Sequence, residues 1–165
     1  MNKKLTLALG FLLAGLLGMS FSFKNACAIE GPVILASFAQ KELRPGDTLK
    51  IYLKASSLDS PLKAIYVTVE QSGVAVHPVN IIRIKKEDQQ KALSGYLYMP
   101  TISSNEFITL KLIVQIQDSR GRFSEEALFP VEFKPQVSPE DPPPGVFAEK
   151  ELGPIMIRLR NMEKK

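Results

Sequence analysis

From about Pro32 to Phe133, apolar residues recur at every second position more often than at every third or fourth, the pattern of strands with one buried face. Val33 to Ala39 predicts a first strand, and "RPGD" at 44–47 supplies a turn. In "DTLKIYLKAS", Leu49, Ile51, Leu53 and Ala55 face one way while Lys50, Tyr52 and Lys54 face the other. "AIYVTVEQ" repeats the arrangement, with Ile65, Val67 and Val69 against Tyr66, Thr68 and Glu70. Gly73 and Pro78 bracket a short turn or edge piece, after which Ile82 and Ile84 alternate with Arg83 and Lys85. The polar run KKEDQQK at 85–91 predicts a solvated loop. "LSGYLYMP" then sets Leu93 and Leu97 against Tyr96 and Tyr98. The longest alternation is "EFITLKLIVQIQD", with Ile108, Leu110, Leu112, Val114 and Ile116 on one face. The turn "DSRG" at 118–121 returns the chain into "RFSEEALFPVEF", so these two segments read as a hairpin.

About seven strands in about 100 residues, with no convincing long helix, predict an all-β fold: a two-sheet antiparallel sandwich. The order of elements resembles that of bacterial immunoglobulin-like and fibronectin type III-like domains. The resemblance is carried by "LRPGDTLKIYLKA" and "LIVQIQDSRGRFSEE" and covers residues 32–134. The cysteine pair and tryptophan of antibody domains are missing from the sequence. The resemblance implies a stable scaffold used for spacing, adhesion or partner binding, and it implies no particular ligand.

The N-terminal end changes the compartment and the charge. Met1-Asn2-Lys3-Lys4 precedes an apolar run from Leu5 to Met19, the layout of a secretory signal. Ala26 and Ala28 place small residues three and one positions before a cut at Ile29, so residues 1–28 are expected to leave as a signal peptide. A lipoprotein signal would need Cys27 first and an aliphatic residue three positions earlier, where Lys24 stands. Retention as an anchor is the other alternative, since Leu5 to Phe23 is 19 residues, near the lower limit of a spanning helix. Cleavage would discard the only cysteine and take the basic residues from 21 to 18 against 17 acidic ones. The basic character of the whole chain therefore belongs largely to the leader, which argues against a nucleic-acid partner.

Beyond the expected sandwich at 29–134, five prolines in "KPQVSPEDPPPG" predict an extended, semi-rigid linker at 135–145. Residues 146–165 form an amphipathic tail. As a strand, "GPIMIRLR" would put Ile155, Ile157 and Leu159 on one face, with Arg158 and Arg160 on the other. As a helix, Pro154 would suit its first turn.

Little in the chain supports catalysis or metal binding. His77 is the single histidine, and no nucleophile-elbow pattern accompanies it. The carboxylates of "DSRG" and the following "SEE" are the best local calcium candidate, but Arg120 and Arg122 lie between them and would oppose the ion. No glycine-rich phosphate loop is present. The expectation is a protein that is not an enzyme and needs no cofactor or metal. Tyr52, Tyr66, Tyr96 and Tyr98 all fall on outward faces and are the candidate partner-binding residues, for a protein or a glycan. Ile155, Ile157 and Leu159 are the second candidate set. The function expected is an exported module, periplasmic or extracellular, that binds or bridges partners in the bacterial envelope. A structural subunit of an envelope assembly, engaging a neighbour through its tail, is the alternative.

Overall fold

A computed structural model describes residues 31–73, 75–85, 90–101, 108–138 and 140–159. The leader, with Ala26, Cys27 and Ala28, lies outside the described residues, as does most of the polar loop. The strands are β1 (Val33–Ala39), β2 (Glu42–Leu43), β3 (Thr48–Ser56), β4 (Leu62–Gln71) and β5 (Ala75–Val76). They continue with β6 (Asn80–Arg83), β7 (Ala92–Pro100), β8 (Thr109–Asp118), β9 (Ala127–Phe133) and β10 (Glu151–Pro154). Two sheets result. The first runs β1-β3-β7-β10, and the second β2-β9-β8-β4 with β5 and β6 side by side along the far edge of β4.

The alternation read from the sequence sets the core. Leu49, Ile51 and Leu53 of β3 and Leu97 and Met99 of β7 face Ile65, Val67 and Val69 of β4 and Leu110, Leu112, Val114 and Ile116 of β8. All are completely or almost completely buried. The expected final hairpin is present, with β8 and β9 paired antiparallel from Thr109 opposite Glu132 to Val114 opposite Ala127. The first strand is split between the sheets. β1 pairs antiparallel with β3, and β2 crosses over to pair parallel with β9, burying Leu43 beside Phe133. Glu42 thereby comes opposite Glu132, and Lys134 bonds both carboxylates.

This strand order is that of an immunoglobulin-like sandwich, with one substitution. The strand that usually follows the sixth position and covers the edge of β7 does not form among the described residues. Its place is taken by β10, from the other end of the chain, which pairs parallel with β7. Ile155 donates its N–H to Tyr98 O at 2.7 Å, and its side chain joins the core. Ile157 and Leu159 pack against that core. The tail is therefore the closing strand of the sandwich; the paired residues are 151–154, and the chain beyond them is extended without a ladder. Gly95 permits the approach, because a Cβ there would lie 2.3 Å from Lys150 O.

The proline-rich segment, expected as a semi-rigid linker, is bonded to the sandwich along its course. After Phe133 the chain crosses the outer face of the first sheet as a strap. Gln40 Nε2 donates to Glu140 O at 3.0 Å, Ala148 N to Ser94 Oγ at 2.9 Å, and Tyr96 N to Lys150 O at 2.8 Å. Extended proline-rich backbone lacks ladder donors and so suits a course over side chains.

Truncating Ile155 should therefore cost about 2–4 kcal/mol, as for other fully buried aliphatic side chains. Urea denaturation of Ile155→Ala and of Met156→Ala checks this. The exposed Met156 should be near neutral, within about 0.5 kcal/mol.

Candidate functional site

The structure separates the four tyrosines by sheet. Tyr52 and Tyr96, opposite one another on β3 and β7, lie on the outer face of the first sheet, as the alternation requires. That face is covered. Phe147 of the strap stands 5.6 Å from Tyr52 and Phe38 stands 6.4 Å from it, while Tyr96 is 5.5 Å away on the other side. Lys50 Nζ sits 4.6 Å above the Tyr96 ring, within cation–π range. Tyr52 is consequently only 6% exposed. Its hydroxyl reaches Glu149 Oε2 at 3.5 Å, and burial, with that carboxylate, raises its pKa against the opposing influence of Lys50. Tyr98 is also raised, by burial and by Glu151, to which it is hydrogen-bonded. Tyr52, Tyr96 and Tyr98 thus serve the strap and β10, which corrects the expectation of one open tyrosine patch. The second candidate set is corrected for the same reason, since Ile155 is buried and Ile157 and Leu159 pack on this domain's own core.

Tyr66 alone belongs to the second sheet. Its hydroxyl donates to Gln117 Oε1 at 3.1 Å, and its ring meets Phe123 edge-on at 5.0 Å. Among the described residues no strap crosses this outer face. Register places its residues in rows across the strands. Ile81, Tyr66 and Gln115 form one row; Thr68, Ile113 and Leu128 form the next; Val76, Glu70, Lys111 and Pro130 form the third. Val76, Ile81, Phe123 and Leu128 are exposed at 66, 53, 43 and 54%. The face mixes these apolar residues with Gln115 and Thr68, and the Lys111–Glu70 pair at 3.3 Å crosses its third row. Sequence alternation marked Tyr66 as outward. It could not mark Ile81 and Leu128 as exposed, because whether an outward apolar residue stays uncovered depends on where the strap runs.

The other singled-out residues are structural. His77 is buried with its Nε2 3.2 Å from Gln71 Oε1, and no serine or carboxylate is bonded to it among the described residues. The "DSRG" turn holds a buried carboxylate. Asp118 accepts hydrogen bonds from Ser60 Oγ at 2.7 Å, Arg120 N at 2.9 Å, Arg122 N at 3.0 Å and Arg122 Nε at 2.7 Å. Gly121, with φ of 83°, closes the turn that aims both amides at it. Arg122 also bonds Asp59 and Ser60 Oγ, tying the β8–β9 turn to the β3–β4 connection. The guanidinium occupies the position a cation would need. Among the described residues no group of three or more His, Cys, Asp or Glu is placed to hold a metal.

Burial alone would raise the Asp118 pKa, but its hydrogen bonds from Ser60, Arg122 and Arg120 outweigh this and lower it from 3.8 to about 2. The folded value is the lower one, so this carboxylate's contribution is complete above pH 4 and is lost as pH falls toward 2. Asp118→Asn should cost about 2 kcal/mol or more at pH 7, the linkage contribution plus the loss of charge-assisted bonds. Urea midpoints measured from pH 7 down to pH 2 should show the gap to the parent narrowing with acidity.

No family model matches the chain, and no curated protein matches it by sequence. Among solved structures it is similar to the PKD domain of an M14-like peptidase from a Thermoplasmatales archaeon, at 11% identity and a TM-score of 0.43, covering 64% of this chain and 98% of that one. It is also similar to Spo0M, a sporulation control protein from Bacillus subtilis, at 5% identity and a TM-score of 0.41, covering 64% of this chain and 50% of that one. Neither likeness transfers an activity to this chain.

Proposed function

We propose that this chain is an exported, non-catalytic module of the bacterial immunoglobulin-like or fibronectin type III-like kind, which works in the cell envelope by binding a protein partner. The observation that carries the reading is the contrast between its two outer faces. One is roofed by the chain's own strap, and the other, among the described residues, exposes Val76, Ile81, Phe123 and Leu128. Large apolar side chains exposed together on one sheet face suit an interaction surface. An aliphatic set suits a protein–protein interface better than a glycan, which is usually held by accessible aromatic rings and converging polar groups. The alternative, a structural subunit that reaches a neighbour with its tail, is less well supported because Ile155, Ile157 and Leu159 are already engaged.

Partner capture from envelope extract by the exported chain, with quantitative mass spectrometry, tests the reading. Val76→Lys combined with Leu128→Lys should abolish capture of the enriched proteins, while Leu58→Lys, exposed on a different part of the surface, should leave it intact. Equal capture by both variants would exclude this face as the binding surface.

A further inference from the structure

The sandwich has four outer edges, and three are blunted. β1 carries a register shift between Ile34 and Ala36, β9 carries Pro130 and is paired by β2 at Glu132 and Phe133, and β7 is covered by β10, which ends in Gly153-Pro154. Bulges, short covering strands and proline are the usual means of preventing a further strand from adding. The remaining edge is β6. Among the described residues it pairs only with β4. Ile84 N donates to Lys63 O at 3.0 Å, so by antiparallel alternation residues 82 and 84 direct their backbone groups to β4. Ile81 and Arg83 then present their N–H and C=O groups outward.

Two grooves flank that edge. At the Asn80 end, Val79, the exposed Met156 and Arg158 line one, held together by a bond from Met156 N to Asn80 Oδ1 of 2.9 Å. At the other end, Arg83, Lys85 and Lys150 line the second. Arg83 and Lys85 make no ion pair among the described residues, and the one carboxylate lining this groove, Glu151, is hydrogen-bonded to the Tyr98 hydroxyl. Antiparallel pairing of two copies through β6 would set each basic end beside the other copy's Val79, with no carboxylate on either strand to meet it. The charge favours an acidic partner instead.

We propose that β6 accepts an additional strand from an extended polypeptide segment, apolar where it passes Val79 and Met156 and acidic where it passes Arg83 and Lys85. This rests on the protein-binding reading above and specifies how such a partner attaches. Main-chain bonds to Ile81 and Arg83 would supply affinity, and the two grooves would supply direction and selectivity. The added strand would also widen the second sheet, placing every other side chain of the partner beside Ile81 on its outer face.

Selection of random twelve-residue peptides displayed on phage, using the exported chain as target, tests this. Enriched peptides should carry Asp or Glu above the library frequency. A synthetic copy of one should slow amide exchange at Ile81 and Arg83 about tenfold, and Arg83→Glu with Lys85→Glu should weaken it about tenfold. No enrichment, enrichment without acidic bias, or protection confined to other amides would each overturn the proposal. Slowed exchange at the same amides on raising protein concentration without peptide would also overturn it, in favour of a second copy. Val76→Lys with Leu128→Lys should retain peptide binding, which separates failure at this edge from failure at the sheet face.

Discussion

The parallel pairing of β10 with β7 is the contact on which the arrangement of surfaces depends. It fills an edge that no strand among the described residues between β6 and β7 occupies, and it places Ile155 in the core between the sheets. To reach that edge from the end of β9, the chain must cross from the second sheet to the far side of the first. The proline-rich strap is the path it takes, and covering Tyr52 is the result. One closure thus determines both the buried edge and the roofed face. The exposed residues Val76, Ile81 and Leu128 gain their significance from the contrast with that face.

The strands between Val33 and Phe133 were legible in the sequence because a period of two is a local signal that burial on one face imposes directly. Leu49 to Ala55 and Leu110 to Ile116 face the core as their alternation requires. The short β2 was not legible, since two residues cannot display a period. The role of the tail was legible only in part. Its apolar content marked it as more than a free end, but its partner, β7, lies more than 50 residues away in sequence. Pairing at that distance is set by which edge remains open, a property of the assembled sandwich. The same limitation applied to the tyrosines. Alternation gave their direction relative to the sheet, whereas their exposure depended on a segment that approaches from the other end of the chain.

The polar corner at Asp118 shows a different relation between sequence and structure. Asp118, Gly121 and Arg122 were readable as a turn in which arginine would compete with any cation. The structure adds Ser60 and Asp59 from the β3–β4 connection, and these complete the hydrogen bonding of a carboxylate that is otherwise removed from water. A buried charge is tolerated when its bonds are fully supplied, and removal of one partner is far more costly than the net worth of the pair. The corner therefore fixes one end of the sandwich, while β10 closes its side. Together they give a disulfide-free scaffold whose second sheet can expose apolar side chains that do not serve the core.

Native-state amide exchange at Tyr96 and Ile155 tests the central closure most directly. Tyr96 N donates to Lys150 O and Ile155 N to Tyr98 O, so both bonds exist only if the tail lies on β7. If it does, both amides should exchange as slowly as that of Val114 in the centre of the second sheet, by global unfolding. Exchange at the rate of an unstructured chain at Tyr96 and Ile155, with Val114 still protected, would contradict the account.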